Sequence, residues 1–137
     1  MEPTIIPGGC YSDARGTLMH NNAFDASQIK RVYILENADT AFIRAWQGHR
    51  IEQRWFSAIQ GSFKIRLVAI DDCEMPSKKA EMITHILNAE KLDILHIPKG
   101  YISSIQALCN ESRLLVMADY GLNEIQDEYR LAFDYFD

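Results

Sequence analysis

Between residues 62 and 70 polar and apolar side chains alternate, so that Phe63, Ile65 and Leu67 fall on one face of an extended chain and Lys64 and Arg66 on the other. Alternation with a period of two predicts a half-buried strand. Shorter runs rich in branched and aromatic residues cover 29–35, 41–46, 53–59, 83–87, 94–97, 102–108 and 114–118. Short strands at such close spacing predict an all-β sandwich or barrel. Turn chemistry separates them: Asn37-Ala38-Asp39, Gln60-Gly61, Asp71-Asp72 with Pro76-Ser77, Pro98-Lys99-Gly100 and Asn110-Glu111-Ser112. After Asp119-Tyr120-Gly121 the pattern changes. Leu122, Ile125, Tyr129 and Phe133 recur at helix-like spacing, which predicts a short C-terminal helix or an irregular tail folded over the barrel.

A length of 137 residues and a 47% hydrophobic content fit one globular domain spanning 1–137, with enough apolar surface for a core. The formal net charge of -5 argues against nucleic acid and anionic membrane as partners, since both attract positive surface. Residues 1–9, MEPTIIPGG, have neither the basic nor the apolar part of a secretory signal, and no run is long enough to span a membrane. Three widely spaced cysteines, Cys10, Cys73 and Cys109, form no CxxC motif, and a reducing, cytoplasmic setting is expected. Cys109, on a presumed strand, reads as a small buried hydrophobe.

The charge is unevenly spread. Residues 30–66 hold seven basic residues against three acidic ones, whereas residues 119–137 hold six acids and one base, Arg130. An exposed arginine on a strand is ordinarily a solvated edge charge. As a set, these predict a basic pocket for one small anionic ligand.

That basic segment also carries the candidate chemistry, in Arg44-Ala45-Trp46-Gln47-Gly48-His49-Arg50. On a regular strand Gln47 and His49 point the same way, roughly 7 Å apart, with Arg44, Trp46 and Gly48 on the opposite face. A bulge near residues 50–53 brings Arg54 to the wall of Gln47 and His49. Read without further context, His49 serves equally well as a hydrogen-bonded structural residue. His20, His85 and His96 read as surface or locally bonded, and Trp46, Trp55 and Phe56 as core or interface.

Asp13-Ala14-Arg15-Gly16, Phe24, the segment from Ile29 through Lys30-Arg31-Val32-Tyr33-Ile34, the stretch from Arg44 to His49, Gly61, Ile97-Pro98 and Asp119-Tyr120 together resemble, in order and spacing, the small sugar-nucleotide cupins. The nearest likeness is to the dTDP-4-oxo-6-deoxyglucose 3,4-ketoisomerases and their WxcM-like relatives, with the dTDP-4-dehydrorhamnose 3,5-epimerases more distant. The resemblance implies a double-stranded β-helix (jelly roll), a homodimer, no cofactor, and a sugar nucleotide bound in the barrel mouth. It also implies proton transfer alpha to the ketone of a nucleotide-linked 4-keto-6-deoxy sugar. His49 matches the second histidine of the ketoisomerases' Arg-Gly-x-His-Ala-His segment, Arg44 its arginine, and Tyr33 a tyrosine that acts as acid or hydrogen-bond donor. Arg31, Arg44, Arg54 and Arg15 become candidates for holding substrate, since guanidinium forks suit a diphosphate.

Gln47 stands where that family has its first histidine. An amide cannot take a proton from carbon, so Gln47 is left the role of hydrogen-bonding the carbonyl or enolate oxygen. A rival reading follows, that of a sugar-binding barrel that has lost its chemistry. The metal ligands common in cupins correspond here to Gln47, His49, Arg54 and Ser103. One ligand of four survives and a cation replaces the carboxylate, so no metal is expected.

Overall fold

The computed structural model describes residues 1–70 and 76–137; Cys73 and the expected Asp71-Asp72 turn lie outside the described residues. The strands follow one another as β1 (Thr4–Ile6), β2 (Gly9–Asp13), β3 (Gly16–His20), β4 (Arg31–Leu35), β5 (Ile43–His49), β6 (Arg54–Gln60), β7 (Ser62–Ala69), β8 (Ile83–Asn88), β9 (Ile94–Ile97), β10 (Tyr101–Ala107), β11 (Arg113–Ala118) and β12 (Glu128–Arg130). One short 3-10 turn, Ala26–Gln28, precedes β4. Two five-stranded sheets, ordered β1-β9-β6-β11-β4 and β12-β5-β10-β7-β8, face each other. Their pairings are antiparallel and mostly join strands distant in sequence. This is the jelly roll of the cupins, as the sequence led us to expect.

Alternation decides what each face buries. Phe63, Ile65 and Leu67 of β7 are fully enclosed and meet Phe56, Leu95, Leu114 and Val116 from the opposite sheet. Burying side chains of this size stabilises by roughly 1.5–3 kcal/mol each. The outer face of the second sheet is covered as well: Trp46, Ile102 and Tyr129 cluster under Leu131 and Phe136 of the tail. Trp46 and Ile102 are core residues of that outer layer, and Trp55 belongs to a third cluster with Met117 and Ile94. Two glycines are required by geometry. Gly61 turns β6 into β7 at a φ of +70°, and a Cβ on Gly48 would fall 1.9 Å from the Tyr101 carbonyl oxygen, so β5 and β10 touch there.

The tail is not helical. Leu122 and Phe133 are 69% and 65% exposed, so their spacing marks no buried stripe. Residues 128–130 instead hydrogen-bond to the open edge of β5, and Trp46 and Leu131 exchange backbone bonds of 3.2 and 3.0 Å. An unpaired strand edge outweighs local periodicity. The β2–β3 hairpin has no buried face for alternation to reveal: its strands pair with each other, and Tyr11 and Leu18 are exposed. Cys109, expected to be buried, is an exposed free thiol at the end of β10, where the turn before β11 begins. Among the described residues, no helix is long and apolar enough to cross a membrane.

Candidate active site

β4, β5, β6 and β10 direct side chains into one open end of the barrel, where they line a cavity. A second, more open recess adjoins it under residues 121–128 and shares Gln47, His49, Glu52 and Arg54 with it. On β4 the alternation sends Arg31, Tyr33 and Leu35 inward and leaves Val32 and Ile34 exposed. From β5 come Gln47 and His49, as expected.

Arg44 is also on the cavity side, contrary to the face assigned to it by simple alternation. The β5–β10 register explains this. Ser103 pairs with Gln47 but Ile105 pairs with Arg44, so β5 spends one more residue than β10 over the same length. Such a bulge reverses the faces on one side of it. Trp46 therefore points to the outer cluster while Arg44, Gln47 and His49 share the cavity.

His49 is the centre of the polar network. Its Nδ1 lies 2.9 Å from Asp127 Oδ1 and 3.3 Å from Glu52 Oε2. Its Nε2 lies 2.9 Å from an Arg54 nitrogen. A guanidinium only donates, so Nε2 accepts, and the ring proton sits on Nδ1, where Asp127 receives it. The other Asp127 oxygen accepts the backbone N–H groups of Ile51 and Glu52 at 2.9 and 2.7 Å. Burial works to raise the Asp127 pKa, but the N–H of Glu52, the His49 ring and the N–H of Ile51 together hold it below the usual carboxylate value. Asp127 thus remains an ionised acceptor at neutral pH and fixes the tautomer of His49.

Arg54 joins three groups. It binds Glu52 through Nε at 2.8 Å and through a terminal nitrogen at 2.6 Å, and it donates to the Tyr33 hydroxyl at 2.6 Å. The bend over residues 50–53 does bring it to the wall of Gln47 and His49. Tyr33 therefore receives a hydrogen bond from Arg54, and its own O–H proton is left to give. Gln47 Nε2 donates to Glu128 Oε1 at 2.9 Å, and since a carboxylate only accepts, this bond also fixes the orientation of the amide.

The remaining cations are placed unequally. Arg31 lies over the Tyr33 ring at 4.6 Å and Arg44 near the Phe42 ring at 5.8 Å; among the described residues, neither is bonded to a carboxylate. Arg15 is not brought to the cavity: it sits in the turn of the β2–β3 hairpin with its guanidinium on Asp13 at 2.7 Å. The Asp119-Tyr120 motif has a supporting place. Asp119 accepts from the backbone and side-chain N–H groups of Gln53, whose side-chain Oε1 accepts from His96, a ring stacked on Trp55.

Sequence reading missed Glu52, Asp127 and Glu128. The basic segment and the acidic tail, separate along the chain, meet in space at β5. Nothing local marks Asp127, 78 residues from His49 in sequence. Together His49, Glu52 and Asp127 offer ligand atoms within 4.8 Å of one another, a set that the count of four cupin positions did not include. Arg54 already lies against Glu52, however, and a divalent ion there would face its positive charge.

The sequence profile of the family described as FdtA: WxcM-like, C-terminal, matches residues 2–136. No curated protein matches this chain. Among solved structures, a double mutant of the 3,4-ketoisomerase QdtA from Thermoanaerobacterium thermosaccharolyticum in complex with TDP is 26% identical, with a TM-score of 0.73 over 98% of this chain and 91% of that one. Another mutant of that enzyme, in complex with TDP-4-keto-6-deoxyglucose, is 24% identical with a TM-score of 0.74 over the same shares, 98% and 91%. The dTDP-4-dehydrorhamnose 3,5-epimerase from Bacillus anthracis, with TDP and PPi bound, has a TM-score of 0.76 at 14% identity over 96% of this chain and 79% of that chain. At 24% and 14% the likeness is one of fold.

Proposed function

This chain belongs to the WxcM-like, C-terminal (FdtA) family, and on that footing we propose that it is a 3,4-ketoisomerase of nucleotide-linked, most simply dTDP-linked, 4-keto-6-deoxy sugars. The observation that carries the reading is His49, a cavity-lining imidazole held by Asp127 through Nδ1 so that Nε2, now against Arg54, is its basic nitrogen. An imidazole oriented in this way suits removal of the acidic proton beside a ketone and its return to the neighbouring carbon. Arg31 and Arg44, free of carboxylate partners among the described residues, suit the diphosphate. Tyr33 has a proton to give to the developing oxyanion. No metal is assigned to the reaction, because the Arg54 guanidinium lies where a divalent ion would need to approach Glu52.

The experiment is to incubate the protein with TDP-4-keto-6-deoxyglucose in D2O and follow the sugar protons by NMR. Deuterium entering beside the ketone, with a 3-keto product appearing, is the expected result. Inversion at carbon without ketone migration would instead assign an epimerase.

A second reading, a sugar-nucleotide-binding barrel without catalysis, is favoured by one observation: Arg54 caps His49 Nε2 at 2.9 Å, and Gln47 is no base. Ligand-induced shifts with no exchange would establish it. We further propose a homodimer, because Val32 and Ile34 lie exposed on the edge strand β4; a monomer mass in solution at micromolar concentration would refute that. A cytoplasmic setting suits the exposed free thiols of Cys10 and Cys109.

A further inference from the structure

Moving a ketone from C4 to C3 relocates two protons. The hydrogen on C3 must reach C4, and the hydroxyl proton on O3 must reach O4. His49 is placed for the carbon-bound proton. Gln47, its neighbour on β5, cannot carry the other, because an amide neither gains nor loses a proton near neutral pH.

We propose that Glu128 is the residue that carries the hydroxyl proton, an assignment that rests on the reading of His49 as the carbon base. In the β12–β5 ladder Glu128 stands opposite His49, Tyr129 opposite Gly48 and Arg130 opposite Gln47. Residues directly opposite in a ladder project to the same face. Glu128 therefore leaves its strand on the face of His49 and Gln47, while Tyr129 turns to the buried cluster with Trp46 and Ile102. The Glu128 carboxylate touches Gln47 Nε2 at 2.9 Å and lines the recess that His49, Gln47 and Arg31 share. It stands beside the amide at the position where the chemistry lacks a proton carrier.

Among the described residues, three carboxylates line this recess. Glu52 is buried on Arg54 and His49, and Asp127 is buried on His49 and two backbone N–H groups. Glu128 is held by the Gln47 amide and by Arg130, a residue that is itself mostly exposed, and its side chain is 43% exposed. It is the carboxylate of the three that can take a proton without breaking a buried ion pair.

The step balances with no further reactant. His49 Nε2 takes the C3 proton; the C–H electron pair becomes the C3–C4 double bond, and the carbonyl π pair moves to O4. Glu128 takes the proton of the O3 hydroxyl and returns it to O4. The negative charge left on O3 reforms a carbonyl, the C3–C4 π pair takes the proton back from His49 at C4, and both residues end as they began. Gln47, with one N–H on Glu128, keeps its second N–H and its carbonyl oxygen for the two sugar oxygens.

The test separates the two proton movements. In D2O with TDP-4-keto-6-deoxyglucose, NMR reads loss of the C3 hydrogen and appearance of 3-keto product independently. Glu128→Gln is expected to keep C3 exchange while product formation falls about 10²-fold, with the thermal melting of the wild type, and Glu128→Asp is expected to restore part of it. Product formation at the wild-type rate in Glu128→Gln overturns the assignment. So does an equal fall in exchange and product, which would mark a residue that only shapes the site. Exchange undiminished in His49→Ala would overturn the reading of the carbon base instead, leaving the two failures distinguishable.

Discussion

His49→Ala is expected to lower both C3 hydrogen exchange and turnover of TDP-4-keto-6-deoxyglucose by about 10²–10⁴-fold, the contribution of a positioned acid–base group. TDP binding should change little, since the arginines free to meet a diphosphate, Arg31 and Arg44, make no contact with the imidazole. Asp127→Asn supplies the companion measurement. The amide oxygen can keep the backbone N–H groups of Ile51 and Glu52, which turns the amide N–H groups toward His49 Nδ1. A donor facing Nδ1 moves the ring proton to Nε2, the atom needed as base. Turnover should therefore fall nearly as far as in His49→Ala although the imidazole remains. Full exchange in either variant, measured by NMR in D2O, would mean that another group removes the carbon proton.

These two residues also show what the chain reveals before it is folded. Gln47 and His49 are two apart on a strand whose period is two, so their shared face follows from local geometry alone. The alternation at Phe63, Ile65 and Leu67 is legible for the same reason: one buried face imposes it. Arg44 is misassigned because a bulge against β10 reverses the faces between residues 44 and 47, and a bulge depends on the partner strand. Asp127 and Glu128 are invisible for a deeper reason. They lie in an acidic tail that looks helical by spacing and is recruited as a strand by the open edge of β5. That pairing places the tail's carboxylates on the face of His49, so the charge asymmetry along the chain becomes a neutralised site in space. Among the described residues Arg31, in the recess beside residues 121–128, and Arg44, on the wall of the barrel cavity, keep no carboxylate partner.

Arg54→Met is expected to cost about 3–5 kcal/mol of folding stability, because it leaves the Glu52 carboxylate buried without its counter-charge. The Glu52 side chain is 6% exposed, accepts a hydrogen bond from Arg54 Nε and lies 2.6 Å from a second guanidinium nitrogen, so little water can replace the guanidinium. For a domain of this size the loss corresponds to a melting temperature lower by roughly 10–20 °C. Adding Glu52→Gln should recover more than half of it, since removing both charges is far less costly than stranding one. A single-variant loss below about 1 kcal/mol, the worth of an exposed pair, would show that the bridge is solvated and the network loose. With His49 as the proposed base, the same contact bears on catalysis. Arg54 occupies His49 Nε2 and the Tyr33 oxygen at once, so a His49 base would require substrate to draw the guanidinium aside before meeting a C–H bond. A diphosphate or sugar oxygen entering the cavity offers Arg54 another acceptor, while Glu52 keeps it tethered through Nε. In Glu52→Gln/Arg54→Met the imidazole is uncapped without a stranded charge. If the cap is the obstacle to proton removal, C3 exchange per bound substrate should be at least as fast in that double variant as in the wild type; slower exchange would make Arg54 a positive contributor to the transition state.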